Sequence, residues 1–192
     1  MNSVEHRFKS NKGYLDTSGL SRDLRYQLEK LIDSGKVFKA KHGLYAHKKY
    51  LREDDKVLIA EMIPNGVFCL FTAWQQYGFT TTIASEYHVA LHRNTKIKTP
   101  GYPPIAIHYW SDKVYALGIT EIKENGSILK FYDRERSVCD AVKFRNKVGE
   151  DIMQEVIKSY FQLKNKDIDR LMQYAVILRV EKILAPYIKS LL

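Results

Sequence analysis

Helix-type and strand-type patterning occupy separate blocks of this 192-residue chain, and that segregation constrains its fold more than any other feature. Short strands with Gly, Pro, Asn and Asp punctuation are predicted at 86–91, 105–110, 114–121 and 128–132. Helical periodicity precedes them at 55–63 and 67–77, split by Pro64-Asn65-Gly66 and closed by Gly78. It returns at 134–145, 149–163, 167–179 and 180–191, with Asp167 as a cap for the third. Grouped this way, the elements predict an α+β fold rather than a doubly wound sheet.

The first fifty residues carry a pattern of their own. Residues 3–11 can form a short helix with Val4 and Phe8 on one face, broken by Gly13. Asp16-Thr17-Ser18 supplies capping chemistry for a short second turn that reaches Leu20. Ser21 can cap a clearer helix over 22–34, in which Leu24, Leu28, Leu31 and Ile32 form one apolar stripe. Gly35 ends it. Val37-Phe38-Lys39-Ala40 and Leu44-Tyr45-Ala46, joined by Lys41-His42-Gly43, read as a tight hairpin with glycine where positive φ is needed. Helix–turn–helix followed by a hairpin is the order of a winged helix. The expected organisation is therefore a winged helix-turn-helix domain over 1–48 and a larger α+β domain over 49–192. The larger domain is expected to hold a small antiparallel or mixed sheet and a C-terminal helical tail.

Charge singles out the same segment. Residues 1–50 hold eleven Lys/Arg against five Asp/Glu, which is +6 of the chain's net +9. A polyanion such as DNA suits that excess. On a helical wheel, Arg22, Tyr26 and Lys30 of helix 22–34 lie opposite the apolar stripe, with Arg25 and Gln27 on its flanks. Arg and Gln can read guanine and adenine edges through paired hydrogen bonds. Glu29 and Asp33 also face outward, so base contact is expected only from the N-terminal half of the helix. Lys36, Lys39, Lys41 and His42, in or beside the hairpin, suit phosphates, which give affinity without sequence information.

Other classes receive less support. No stretch approaches the ~18 apolar residues of a membrane span. The opening MNSVEHRFKSNKG lacks the apolar centre of a signal peptide, so a cytoplasmic protein without a membrane partner is expected. Cys69 and Cys139 lie in apolar segments and read as buried, reduced thiols. The strand block contains Asp112 and Glu121-x-Lys123, residue types of a metal-dependent nuclease core, which form the alternative function. His88 and His92, with His108, hold zinc-type ligands, although strand histidines on a solvent face are far commoner. Glu135 and Asp140, five apart at a helix start, do not share a face. A structural role fits Glu135, Arg136 and Asp140 better, with the carboxylate near the helix N-terminus and Arg136 tying the helix to a neighbour. No Gly-rich phosphate loop, nucleophile elbow or HExxH motif occurs in the sequence. A non-enzymatic protein with no cofactor and no metal is expected.

Several segments together resemble the AbiEi antitoxins. Gly13-Tyr14-Leu15, Leu24, Leu28 and Leu31, Gly35-Lys36-Val37 and Gly43-Leu44-Tyr45-Ala46 resemble the family's N-terminal winged helix. Pro64-Asn65-Gly66-Val67, leading to Ala73 and Tyr77-Gly78, is similar to the region that follows it there. Ala116 to Ile122, then Gly126 and Phe131-Tyr132, look like its central strands. Glu135-Arg136-Ser137-Val138-Cys139-Asp140 is similar to its "ERTlvD" signature, with Ser137 in place of the commoner Thr and Cys139 in place of an aliphatic residue. Arg170-Leu171-Met172-Gln173-Tyr174-Ala175 looks like its C-terminal stretch. The match runs in order from about 13 to 192. The helices of the head look short for that pattern.

The resemblance implies an antitoxin of a type IV toxin–antitoxin system, tied to phage defence by abortive infection. It implies a winged helix that binds inverted repeats in its own promoter and represses it. It also implies a C-terminal domain that counters a nucleotidyltransferase-like toxin, with which it need not form a stable complex. Monomers in solution that pair on the DNA agree with such a system.

Overall fold

The structure, a computed structural model, describes residues 3–11, 13–50, 55–97, 103–124 and 126–191. It has two compact units, residues 1–64 with 98–104, and 65–97 with 105–192. Helices are interspersed with two small sheets, one of three strands and one of five, so the chain is α+β.

The first unit runs α1 (Val4–Ser10), β1 (Tyr14–Asp16), α2 (Arg22–Asp33), β2 (Val37–Lys41), β3 (Leu44–His47) and α3 (Asp55–Met62). Ser3 caps α1 by accepting from the His6 N–H, and Ser21 caps α2 through the Leu24 N–H. At the far end of α2, Gly35 N–H donates to the Ile32 carbonyl and Lys36 N–H to that of Leu31. These two bonds satisfy carbonyls that the ended helix would orphan. The strands form an antiparallel sheet in the order β1-β3-β2. Val4, Phe8, Leu15, Leu20, Leu24, Leu28 and Val37 bury the side chains of both helices against it.

Two expectations for this head change. Residues 14–16 form a strand paired with β3, where sequence periodicity gives no strand. Three residues are too few to show a period of two. Residues 17–20 form a turn rather than a helix, closed when Ser18 N–H donates to the Asp16 carboxylate at 2.6 Å. The local side-chain bond competes with helix formation. A strand and a turn thus separate α1 from α2, in place of a helix–turn–helix.

The second unit holds β4 (Val67–Phe68), α4 (Leu70–Gln76), β5 (Tyr87–His92), β6 (Ile105–Trp110), α5 (Asp112–Ala116), β7 (Ile119–Glu124) and β8 (Ser127–Tyr132). Then come α6 (Arg134–Val148), α7 (Glu150–Phe161), α8 (Ile168–Leu178) and α9 (Glu181–Leu191). The mixed sheet has the order β6-β5-β4-β8-β7, with β5/β6 and β4/β8 parallel. Helix α6 lies at the centre of the core, with every residue from Glu135 to Val142 buried.

Here too the pattern misleads in two places. The expected helix 67–77 begins as a strand, because Val67 and Phe68 enter the centre of the sheet and only 70–76 are helical. An unbroken apolar run gives no warning of that switch. The switch is sharp: Leu70 opens α4 at φ 45°, a left-handed conformation that costs a non-glycine residue about 1–3 kcal/mol. Burial of its side chain offsets that cost. The expected strand 114–121 splits into the end of α5 and the start of β7, with Gly118 at φ +73° between them.

Candidate nucleic-acid interface

Thr17 organises the basic end of the first unit. Its backbone N–H and its hydroxyl both donate to the Gly43 carbonyl, at 2.7 and 3.1 Å. Gly43 belongs to the two-residue turn of the β2–β3 hairpin, closed by the Lys41–Leu44 pair. Thr17 stands four residues before Ser21, the cap of α2. The hairpin turn and the start of α2 are therefore held at one end of the unit.

Arg22 and Arg25 are exposed at that helix start. Arg25 Nε donates to the Leu20 carbonyl at 3.2 Å, which anchors its side chain at the helix start. One turn further along, Tyr26 is 59% exposed and the Lys30 ammonium stands 4.6 Å from its ring centre. Gln27 has a structural task that sequence reasoning missed: its Oε1 accepts from Val4 N–H at 3.2 Å, tying α2 to the first turn of α1. Lys39 and His42 are exposed in the hairpin. The side chain of Lys41 lies outside the described residues. Lys36 is exposed at the opposite end of the hairpin, where its carbonyl accepts from Lys48 N–H. The structure thus groups Arg22, Arg25 and His42 at one end and separates Lys36 from them.

At that far end, Glu5, Gly35, Lys36, His47, Lys48 and Lys49 line a cavity of about 380 Å³. The His47 ring is 2% exposed and packs between Phe8 and Tyr50, with ring centres 5.4 and 4.7 Å away. Its Nδ1 accepts from Lys49 N–H at 3.1 Å. Burial holds the imidazole below its ordinary pKa, and Glu5 opposes the shift. Sequence patterning gave no sign of this cavity, because its residues come from three separate segments.

In the second unit, Glu135, Arg136 and Asp140 hold the core together. Glu135 accepts from the Tyr160 hydroxyl at 2.9 Å and from Asp167 N–H at 3.4 Å, joining the starts of α6 and α8 to α7. Arg136 is fully buried between Tyr132 and Trp110, 4.1 and 5.2 Å from their ring centres. Its Nε donates to Asp140 at 2.9 Å, and Nη1 to the carbonyls of Val114 and Leu117 at 2.6 and 3.1 Å. Burial pushes the Asp140 carboxyl up, and the guanidinium opposes that shift. These bonds link the start of α6 to neighbouring segments of the core. Asp133, which caps α6 through Arg136 N–H, is a further member that the sequence motif omits.

The nuclease residues are not assembled. Asp112 opens α5 and bonds His92 of β5, whereas Glu121 and Lys123 lie on β7. Two strands stand between β5 and β7, a spacing of roughly 14 Å. The histidines do not converge either. His88 Nδ1 lies 2.9 Å from His108 Nε2, while His92 turns to Asp112. Among the described residues no three His, Cys, Asp or Glu groups are placed to hold a metal ion. No helix among them is long and apolar enough to cross a membrane.

No family model matches the chain, and no curated protein sequence does. Among solved structures, the chain is similar to the crystal structure of the RV2827C protein from Mycobacterium tuberculosis. The TM-score is 0.64 at 10% sequence identity, over 90% of this chain and 69% of that one. At that identity the likeness shows the fold alone.

Proposed function

We propose that the first unit is a reduced winged helix that binds DNA, and that the chain is an autorepressing antitoxin of a type IV toxin–antitoxin operon. One observation carries the DNA reading. Thr17 holds the hairpin turn beside the start of α2, so that exposed Arg22 and Arg25 stand at the same end as His42. A helix start and a hairpin turn presented together suit a major groove and its flanking phosphates. Arg22 and Arg25 would read base edges there. Lys39 and His42 would contact phosphates. The charge excess of the first fifty residues supports a polyanion partner.

The antitoxin part rests on the resemblance of the ordered motifs to the AbiEi family. In this reading the second unit counters a nucleotidyltransferase-like toxin, without the need for a stable complex. Promoter inverted repeats would be occupied by paired copies.

Footprinting of the full chain on the DNA upstream of its own operon tests the proposal. Protection of an inverted repeat is expected. Arg25→Ala should weaken binding to that repeat by about 1–3 kcal/mol and binding to unrelated DNA much less. Absence of protection, or equal losses on both DNAs, would overturn the base-reading role. Co-expression with the adjacent toxin gene should restore growth, and failure to do so would overturn the antitoxin part.

A further inference from the structure

We infer that the cavity at the C-terminal end of α2 is a binding site for a small phosphate-bearing anion, separate from the DNA-facing end. Lys36, Lys48 and Lys49 line it, against one carboxylate residue, Glu5. The resulting +2 balance matches a phosphate dianion. Lys36 and Lys48 are exposed, while Lys49 also stands over the Tyr50 ring at 5.5 Å.

His47 supplies the independent observation. Its Nδ1 is used as an acceptor by Lys49 N–H, so the neutral ring carries its proton on Nε2. That Nε2 is buried and has no hydrogen-bond partner. It faces Glu5 at 4.0 Å, too far for a hydrogen bond. A buried donor left unmade costs about 1–3 kcal/mol. Glu5 is half exposed and can turn to solvent, after which an entering phosphate oxygen accepts from Nε2–H while the lysines neutralise its charge. The cavity volume of about 380 Å³ lies within the range of small-molecule sites.

The site is also remote from the DNA-facing end. Gly35 follows the last turn of α2, whereas Arg22 opens it, and twelve residues of helix span about 18 Å. Along the hairpin, Lys36 and Lys48 flank the end opposite the His42-Gly43 turn. A phosphate of the DNA could share the chemistry, but a free ligand suits the position.

The full chain, labelled with ¹⁵N, is titrated with inorganic phosphate and with pyrophosphate at ionic strength held constant with chloride. Saturable shifts are expected at the His47 side chain and at the Lys36, Lys48 and Lys49 amides. The double variant Lys36→Ala/Lys48→Ala should raise Kd at least tenfold, and Arg22→Ala should leave it unchanged. Non-saturating shifts spread over many lysines, or an unaltered Kd in the double variant, would overturn the site. A second arm uses a DNA duplex. If a DNA phosphate is the occupant, the double variant lowers the slope of log K against log salt by about 2, and DNA displaces pyrophosphate. That outcome would overturn the free-ligand assignment; an unchanged slope with pyrophosphate retained supports it. The first arm involves no DNA, so the site and the DNA reading stand or fall separately.

Discussion

Thr17 gives two donors to one acceptor, the carbonyl of Gly43, and so ties the loop before α2 to the turn of the hairpin. Thr17→Val keeps the shape and the backbone bond but removes the hydroxyl. We expect a stability loss of about 0.5–1.5 kcal/mol in urea denaturation. Hydrogen exchange should quicken at the hairpin turn more than at Leu28 in the helix. Uniform quickening would mean that the hydroxyl serves the whole unit rather than this tie.

Arg136 and Asp140 are paired with neither side chain exposed. Asp140→Ala strands a buried guanidinium, and about 3–5 kcal/mol of stability should be lost. Arg136→Met should cost a similar amount, since it also releases two carbonyls. The double variant Arg136→Met/Asp140→Leu should lose clearly less than the sum, by at least ~1 kcal/mol. Strict additivity in the cycle would show that the pair is not coupled.

Gly118 lies against this arginine. A β-carbon there would stand 2.8 Å from the Arg136 β-carbon, and the backbone is at φ +73°. Gly118→Ala should therefore destabilise by about 1–3 kcal/mol, read as a lowered thermal midpoint. Gly19→Ala also has positive φ but open space, and it should cost less.

His88 and His108 share one hydrogen bond between parallel strands, so at most one proton lies between the facing nitrogens. Burial, with His88 and Lys147 nearby, holds His108 down to about 4, and burial also lowers His88. The unfolded chain therefore takes up protons first as pH falls below ~6.5. Stability should be fullest above that pH and decline as pH drops toward 4. His108→Gln should flatten the decline in urea midpoint between pH 6.5 and 4. An NMR titration of His108 with a midpoint near 6.5 would sink the explanation.

Cys69 and Cys139 are fully buried, and burial pushes both thiols up. Reaction with a thiol reagent at pH 8 should be negligible in the folded protein and complete in urea. Rapid labelling of either thiol before unfolding would reveal an opening that the packed core does not predict.

Local patterning located the elements whose apolar spacing repeats several times. Helices α2, α7, α8 and α9 lie where periodicity puts them, because each repeats its buried face over two or more turns, and β6 and α6 lie where expected without such a repeated face. The capping residues Ser21 and Asp167 were legible for the same local reason. Tertiary structure alone decided β1 and β4, whose three and two residues gain strand geometry from partners distant in sequence. It also decided that the polar start of α6 is core, since Glu135, Arg136 and Asp140 find their partners on other segments or one helical turn away. Above all, it decided which basic residues act together. Charge density marked the first fifty residues, but the Thr17–Gly43 tie sets Arg22 and Arg25 with His42. The antiparallel hairpin carries Lys36 to the other end, beside His47 and Lys48. Hydrogen bonds across many residues set those neighbourhoods, and no local pattern encodes them.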